Sequence, residues 1–397
     1  MKRTLIFVVV IALTSAALTG FLWRKLARPG ANDRPDGAST PSYGAISDDF
    51  SWPSFRGDPA QTGVAQSELP RDLRLVWSVD LRTDIESAVA IADGRVYVPT
   101  DDCGLVALRL DDGKVLWSYP DNAPINTAPL AAYGKVFFGD MDGVFHAVDA
   151  KSGKGRWIRR TGAEIMSSAN VGDNSVLFGS NDSTLYCLNP DNGDTIWEAS
   201  TGGYINASPC IVDGYVAIAG CDERLRLFDL KTGESSTTLE LPMNVASTPA
   251  YRSGRIVVAT VGAGVVCATT WPLAQSWRIW DNALREIYAS PAFADNDIVI
   301  ACTDGSVGCV DPQTGAERWT FDAPGKVGSS PVIAGDRVFF GCTDGKLYAV
   351  RLKDGKRVWA SALGSPVAAA PAVGCNRLIV GTADGAVYAF GGRPPRH

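Results

Sequence analysis

Apolar residues along this chain fall in short runs, and glycine and aspartate close each run. Residues 329 to 363, SSPVIAGDRVFFGCTDGKLYAVRLKDGKRVWASAL, show the pattern: β-rich stretches separated by Gly-Asp, Asp-Gly and again Asp-Gly. Such dipeptides suit tight hairpins because glycine, and to a lesser degree aspartate, accepts positive φ. The segment predicts four antiparallel strands. Alternation is only partial in Leu347-Tyr348-Ala349-Val350, as expected of a strand covered on both faces.

The pattern repeats. Tryptophans stand at Trp77, Trp117, Trp157, Trp197, Trp277, Trp319 and Trp359, and a single missed beat at Thr237 restores a period near forty residues. Glycine precedes the beat by four positions at Gly113, Gly153, Gly193, Gly233, Gly315 and Gly355. Proline follows it by twelve at Pro129, Pro209, Pro249, Pro331 and Pro371, with Pro291 displaced by a local insertion. One four-stranded sheet of this size cannot bury both faces, so the copies must stack, and a closed ring stacks them while leaving only short edges. Tryptophans at one offset are then packing residues between neighbouring sheets.

Seven complete repeats run from about 87 to 363, and residues 369 to 390 supply three strands of an eighth. The missing outer strand has a donor in Leu75-Val76-Trp77-Ser78-Val79. The expected fold is all-β, an eight-bladed β-propeller of four-stranded antiparallel blades over 51–390, closed by residues 74–80 pairing with 369–390 and followed by a tail, 391–397.

A different pattern occupies the N-terminus. Residues 4 to 23 carry no charge and are flanked by Lys2, Arg3, Arg24, Lys25 and Arg28, and as a helix they are long enough to span a bilayer core. Residues 1–28 therefore form a signal anchor, with a cleaved signal peptide as the competing reading, because Ser15-Ala16-Ala17 offers small residues for cleavage. Residues 29–50, rich in Pro, Gly, Ser, Asn and Asp, form a flexible linker.

Composition narrows the chemistry. A net charge of −6 over 397 residues gives no basic footprint, so nucleic acid is not an expected partner. His146 and His397 are the whole histidine inventory, which nearly excludes histidine-based metal sites and Ser-His-Asp triads. The nine cysteines form no C-x-x-C pair. Cys187, Cys267 and Cys309 share an offset at which other repeats carry alanine, so they read as small buried hydrophobes, with a disulfide pair as the other reading.

The irregular repeat is the first candidate for binding. Its run VVCATTWPLAQSWRIW replaces the acidic turn and brings in Trp271, Trp277 and Trp280, aromatic residues suited to anchoring a partner, unless the blade simply repacks its own edge. Asp101-Asp102 and Asp222-Glu223 are candidate ion ligands or, more simply, solvated turns.

Ala147 to Trp157 (AVDAKSGKGRW) and Cys309 to Trp319 (CVDPQTGAERW) resemble the repeat signature of the pyrroloquinoline-quinone (PQQ)-like β-propeller family, and Trp52 to Asp58 (WPSFRGD) is similar to the lead-in of its members. The resemblance implies the propeller fold, but the family includes quinoprotein dehydrogenases and a non-enzymatic, BamB-like branch of outer-membrane assembly factors. The dehydrogenases carry PQQ and calcium on the axis, with a catalytic aspartate, a tryptophan floor and usually adjacent cysteines. This chain has no Cys-Cys pair and almost no room for insertions between beats. The resemblance therefore implies a non-catalytic scaffold without a cofactor that binds an envelope protein or peptide, and together with the apolar N-terminal segment it places the chain at the periplasmic face, anchored in the inner membrane by residues 4–23, or secreted after cleavage. The alternatives are a PQQ-dependent oxidoreductase and an envelope ligand sensor.

Overall fold

The computed structural model describes residues 50–121, 123–280 and 285–392. The expected anchor, nearly all of the linker and most of the tail lie outside the described residues. Among those described, no helix is long and apolar enough to cross a membrane.

Thirty-two strands form eight four-stranded antiparallel sheets. Blade 1 comprises Ala90–Ala92, Arg95–Pro99, Leu105–Arg109 and Val115–Tyr119, ordered from the axis outward. Blades 2 to 7 repeat this arrangement, starting at Leu130, Asn170, Cys210, Ala250, Ala292 and Val332. The middle strands are buried on both faces, as in Lys135–Gly139 and Val144–Asp149, whereas an outer strand such as Gly155–Arg160 is largely exposed. This is why only the outer strands show polar residues in quantity.

Blade 8 joins the two ends of the domain. Ala372–Gly374, Arg377–Gly381 and Ala386–Gly391 take as their fourth strand Arg74–Asp80, which pairs antiparallel with Ala386–Gly391. A register shift separates Leu75 from Trp77, and the same shift recurs between the third and outer strands of the other blades, for example at Ala107/Leu108 and Ala147/Val148. The borrowed strand thus reproduces the native bulge.

The repeat signature has a physical reading. In Asp149 to Trp157 the aspartate Oδ1 accepts from the backbone N–H groups of Lys151 and Ser152, and the Gly153 N–H donates to the Asp149 carbonyl. The turn drives Gly153 into positive φ, and the Trp117 ring of the preceding blade lies so close that a Cβ on Gly153 would sit 2.6 Å from it. Most of these tryptophans also donate their indole N–H to a carbonyl of the next blade: Trp77 to Leu110, Trp117 to Ala150, Trp197 to Leu230 and Trp319 to Leu352. Aspartate, glycine and tryptophan are one device that locks adjacent blades.

The missed beat is compensated from the next blade. Opposite Thr237, the hairpin of blade 5 carries Trp271 and Leu273, both packed into the apolar cluster between blades 4 and 5, with Trp271 tilted against Tyr215 at 4.9 Å. Trp280 fills a second gap. It lies against Gly308, the position at which other blades carry Tyr186 and Tyr348, and the Arg285 guanidinium sits 5.0 Å above its ring.

Candidate functional site

The segment before blade 8's outer strand closes one end of the axis. Carbonyls of Phe50, Trp52, Pro53, Ala60, Thr62 and Gly63 accept from backbone N–H groups of the innermost strands of blades 8, 1, 2, 5, 6 and 7. The Pro59 carbonyl serves blades 3 and 4 together, through Asn170 Nδ2 and the Ile211 N–H. Every blade is therefore tied to this plug. Arg56 is buried within it and donates to the Pro291 carbonyl. Burial pulls its pKa down to about 9 against the opposing charge of Asp58, so the group stays protonated at neutral pH.

Above the plug the axis is a blind well with a volume of about 190 Å³. Its lower wall is a belt of one residue per blade: Ala88, Ala128, Ser168, Ser208, Thr248, Ser290, Ser330 and Ala370. Hydroxyls in the belt accept from the backbone one blade back, as Ser208 Oγ does from Ser168 N–H and Thr248 Oγ1 from Ser208 N–H. The three alanines leave room for Phe55, which rises from the plug and packs on them.

Two residues before the belt, one residue per blade stands at the open mouth, among them Glu86, Asn126, Met166, Asn206 and Tyr288. Immediately before each of these positions stands a fully buried branched residue, such as Ile85, Ile125, Ile165, Ile205 and Val245, which anchors the loop by packing on the preceding blade, as Ile165 does on Gly139 and Ile205 on Gly179. Each loop is further pinned by the turn between the second and third strands of its own blade: Asp101 N–H to Asp84 carbonyl, Asn181 to Glu164, Cys221 to Tyr204, Val261 to Asn244 and Thr303 to Glu286. The rim backbone is thus the same around the ring, and only the side chains on it differ.

Those side chains divide the rim. Met166, Tyr204, Met243 and Tyr288, on four consecutive blades, are all exposed, Tyr204 at 58%. Exposed apolar groups clustered at one mouth mark an interaction surface more than scattered ones do. Across the ring, blade 1 presents Asp84, Glu86, Asp101 and Asp102. Burial, followed by the charges of Glu86, Asp84 and Asp102, raises the Asp101 pKa.

The tryptophans singled out from the sequence do not form one surface. Trp277 is buried between blades 5 and 6 and donates to the Pro312 carbonyl, so it keeps the regular beat. Trp280 packs on the same side, while Trp271 faces blade 4. No shared patch joins them, because Trp271 and Trp280 fill gaps left by the repeat on different sides of the blade and Trp277 keeps its beat. Asp222 pairs with Arg226 within its own blade. Cys187, Cys267 and Cys309 are buried as free thiols.

One polar cluster escaped the sequence reading. His146, buried in blade 2, directs Nε2 to Asp140 Oδ2 at 2.7 Å and to Asp121 Oδ2 at 3.2 Å, while Nδ1 lies 3.2 Å from the Tyr119 hydroxyl and the ring stacks on Phe138. Burial disfavours the imidazolium, but the hydrogen bonds and charges of Asp121 and Asp140 outweigh it and raise the pKa. Counting histidines could not reveal carboxylates converging from two different loops.

A closed ring of eight blades with a plugged axis defines the class: a PQQ-like β-propeller. The chain belongs to the family described as outer membrane protein assembly factor BamB, which matches residues 69–270 and 274–393. Among solved structures it is similar to BamB from Moraxella catarrhalis, with 20% identity and a TM-score of 0.69 over 82% of this chain and 99% of that one. It is also similar to the quinohemoprotein alcohol dehydrogenase from Comamonas testosteroni, at 15% identity and a TM-score of 0.72 over 89% and 82%. A europium-containing methanol dehydrogenase aligns at 14% identity and a TM-score of 0.74 over 87% and 99%. Likeness at these identities shows the fold alone. No protein of curated function matches by sequence.

Proposed function

We propose that this protein is a non-catalytic scaffold of the cell envelope, tethered at the periplasmic face by residues 4–23, which docks a protein of the outer-membrane assembly apparatus on the open mouth of its propeller. The exposed arc of Met166, Tyr204, Met243 and Tyr288 carries this reading, because it stands on a rim whose backbone is the same around the ring. Family membership supports the class of partner.

The well does not suit PQQ with calcium. At about 190 Å³ it is smaller than the roughly 300–1,000 Å³ of ordinary cofactor pockets. Calcium seeks about six to eight oxygens, whereas the lining offers one carboxylate, Glu86, and the amides of Asn126 and Asn206. Among the described residues, no lysine or arginine lines the well to meet a polyanionic cofactor, and no tryptophan forms a floor.

A photocrosslinking residue placed at Tyr204 tests the docking. A discrete adduct with a subunit of the assembly apparatus supports it, and no adduct at Tyr204 overturns it.

A further inference from the structure

The rim repeats itself eight times, so each blade serves as a control for the others. At the position of Asp101 the other blades carry uncharged residues, among them Met141, Asn181, Cys221, Val261 and Thr303. At the position of Glu86 no other blade has an acid. The turn aspartate that follows is common to most blades, and in three of them it has a donor from the equivalent place on the third strand: Tyr186 for Asp182, Arg226 for Asp222 and Tyr348 for Asp344. In blade 1 that strand position is Val106, which offers no donor to Asp102. Among the described residues none of Asp84, Glu86, Asp101 and Asp102 has an ion-pair partner, and the Asp101 Oδ1 is buried without a hydrogen bond. Blade 1 therefore holds a concentration of negative charge that no other part of the fold neutralises.

This charge lies four blades from blade 5, across the well from the apolar arc. Resting on the docking reading above, we propose that the mouth takes a segment of the partner in which a basic side chain is flanked by apolar ones. The cation meets the blade 1 carboxylates, and the apolar groups meet the arc and the upper well. A cation there relieves repulsion among like charges, so complementarity adds selectivity to a contact whose affinity comes from apolar burial. A basic side chain suits the quartet better than a metal ion. The His146 cluster is the one group among the described residues whose ligand atoms lie close enough to share a metal, and the quartet is not such a group.

The test uses the full chain and three fluorescein-labelled peptides of equal length. One alternates lysine with phenylalanine and leucine, the second replaces lysine by glutamate, and the third replaces the apolar residues by serine. Anisotropy at low salt is expected to show the first peptide binding about tenfold or more tighter than either control, and weakening as salt is raised. Glu86→Gln with Asp101→Asn relieves repulsion at the rim, leaves the core untouched, and is expected to reduce the preference for lysine over glutamate about three- to tenfold. Tyr288→Ala is expected to weaken the lysine peptide while keeping its salt dependence. An unchanged lysine preference in the carboxylate variant overturns the proposal, as does equal binding of the serine peptide or saturable binding of calcium chloride alone at the quartet. If crosslinking from Tyr204 still captures an assembly subunit while the lysine preference is indifferent to the variant, docking stands and this assignment alone falls.

Discussion

Trp271 offers a sharp test of how the ring is held together, because the structure makes it the substitute for a tryptophan that position 237 lacks. It stacks on Tyr215 within the cluster between blades 4 and 5, but its indole N–H is buried without an acceptor, unlike that of Trp197, which donates to the Leu230 carbonyl. A fully buried tryptophan replaced by alanine costs about 3–5 kcal/mol, and the partial exposure of Trp271 lowers the expectation to about 2–3 kcal/mol. Trp271→Phe keeps most of the packing and removes an unsatisfied donor, so it is expected to change stability by less than about 1 kcal/mol, whereas Trp197→Phe loses a hydrogen bond worth about 1 kcal/mol. Thr237→Trp alone overfills the site, at a cost of about 1–3 kcal/mol. In the Trp271→Ala background the same substitution has room and is expected to recover at least about 1 kcal/mol. Urea unfolding followed by tryptophan fluorescence and circular dichroism measures the four corners of this cycle. Additive effects of Thr237→Trp and Trp271→Ala would refute the compensation.

Gly233→Ala places a Cβ 2.6 Å from the Trp197 ring at φ +72, so strain and overpacking together are expected to destabilise by about 2–5 kcal/mol, against about 1–2 kcal/mol for Gly94→Ala, which has positive φ but open space. Denaturant midpoints compare the pair, and equal losses would show that the tryptophan contact is not what restricts the turn. His146 has a raised folded pKa, so its stabilising contribution is fully present below the unfolded value of about 6.5 and is lost as pH rises through the folded value. Thermal melts across the neutral to alkaline range are expected to fall more steeply for the parent than for His146→Gln, and parallel profiles would contradict the role given to Asp121 and Asp140.

The ring and its closing strand were legible because they rest on features that recur in most copies. Tryptophan and glycine meet the same packing need in most blades, seven and six times respectively, and the turn aspartate recurs with them, so period alone exposed them. The site was hidden for the opposite reason. Its residues sit at repeat positions where the side chain is free to vary, such as 86, 126, 166 and 206, beside constant neighbours such as Ile85, Ile125, Ile165 and Ile205. Variation set against a constant neighbour was the available signal. The aromatic run at Trp271, Trp277 and Trp280 drew attention instead, although two of these residues repair defects at Thr237 and Gly308 and the third keeps the beat. Nor could the plug be read in advance, since its bonds to the inner strands are made by backbone carbonyls that carry no sequence signature.

Docking of a protein partner at the open mouth places the rim within reach of that partner, and crosslinking in intact cells reads this contact. A photoreactive residue replaces Tyr204 on the rim in one strain and Ile158, equally exposed on the outer strand of blade 2, in another. The account expects a discrete adduct with an outer-membrane assembly subunit from Tyr204 and none from Ile158. An adduct from Ile158 with Tyr204 silent would contradict it and move the interface from the mouth to the edge of the blades.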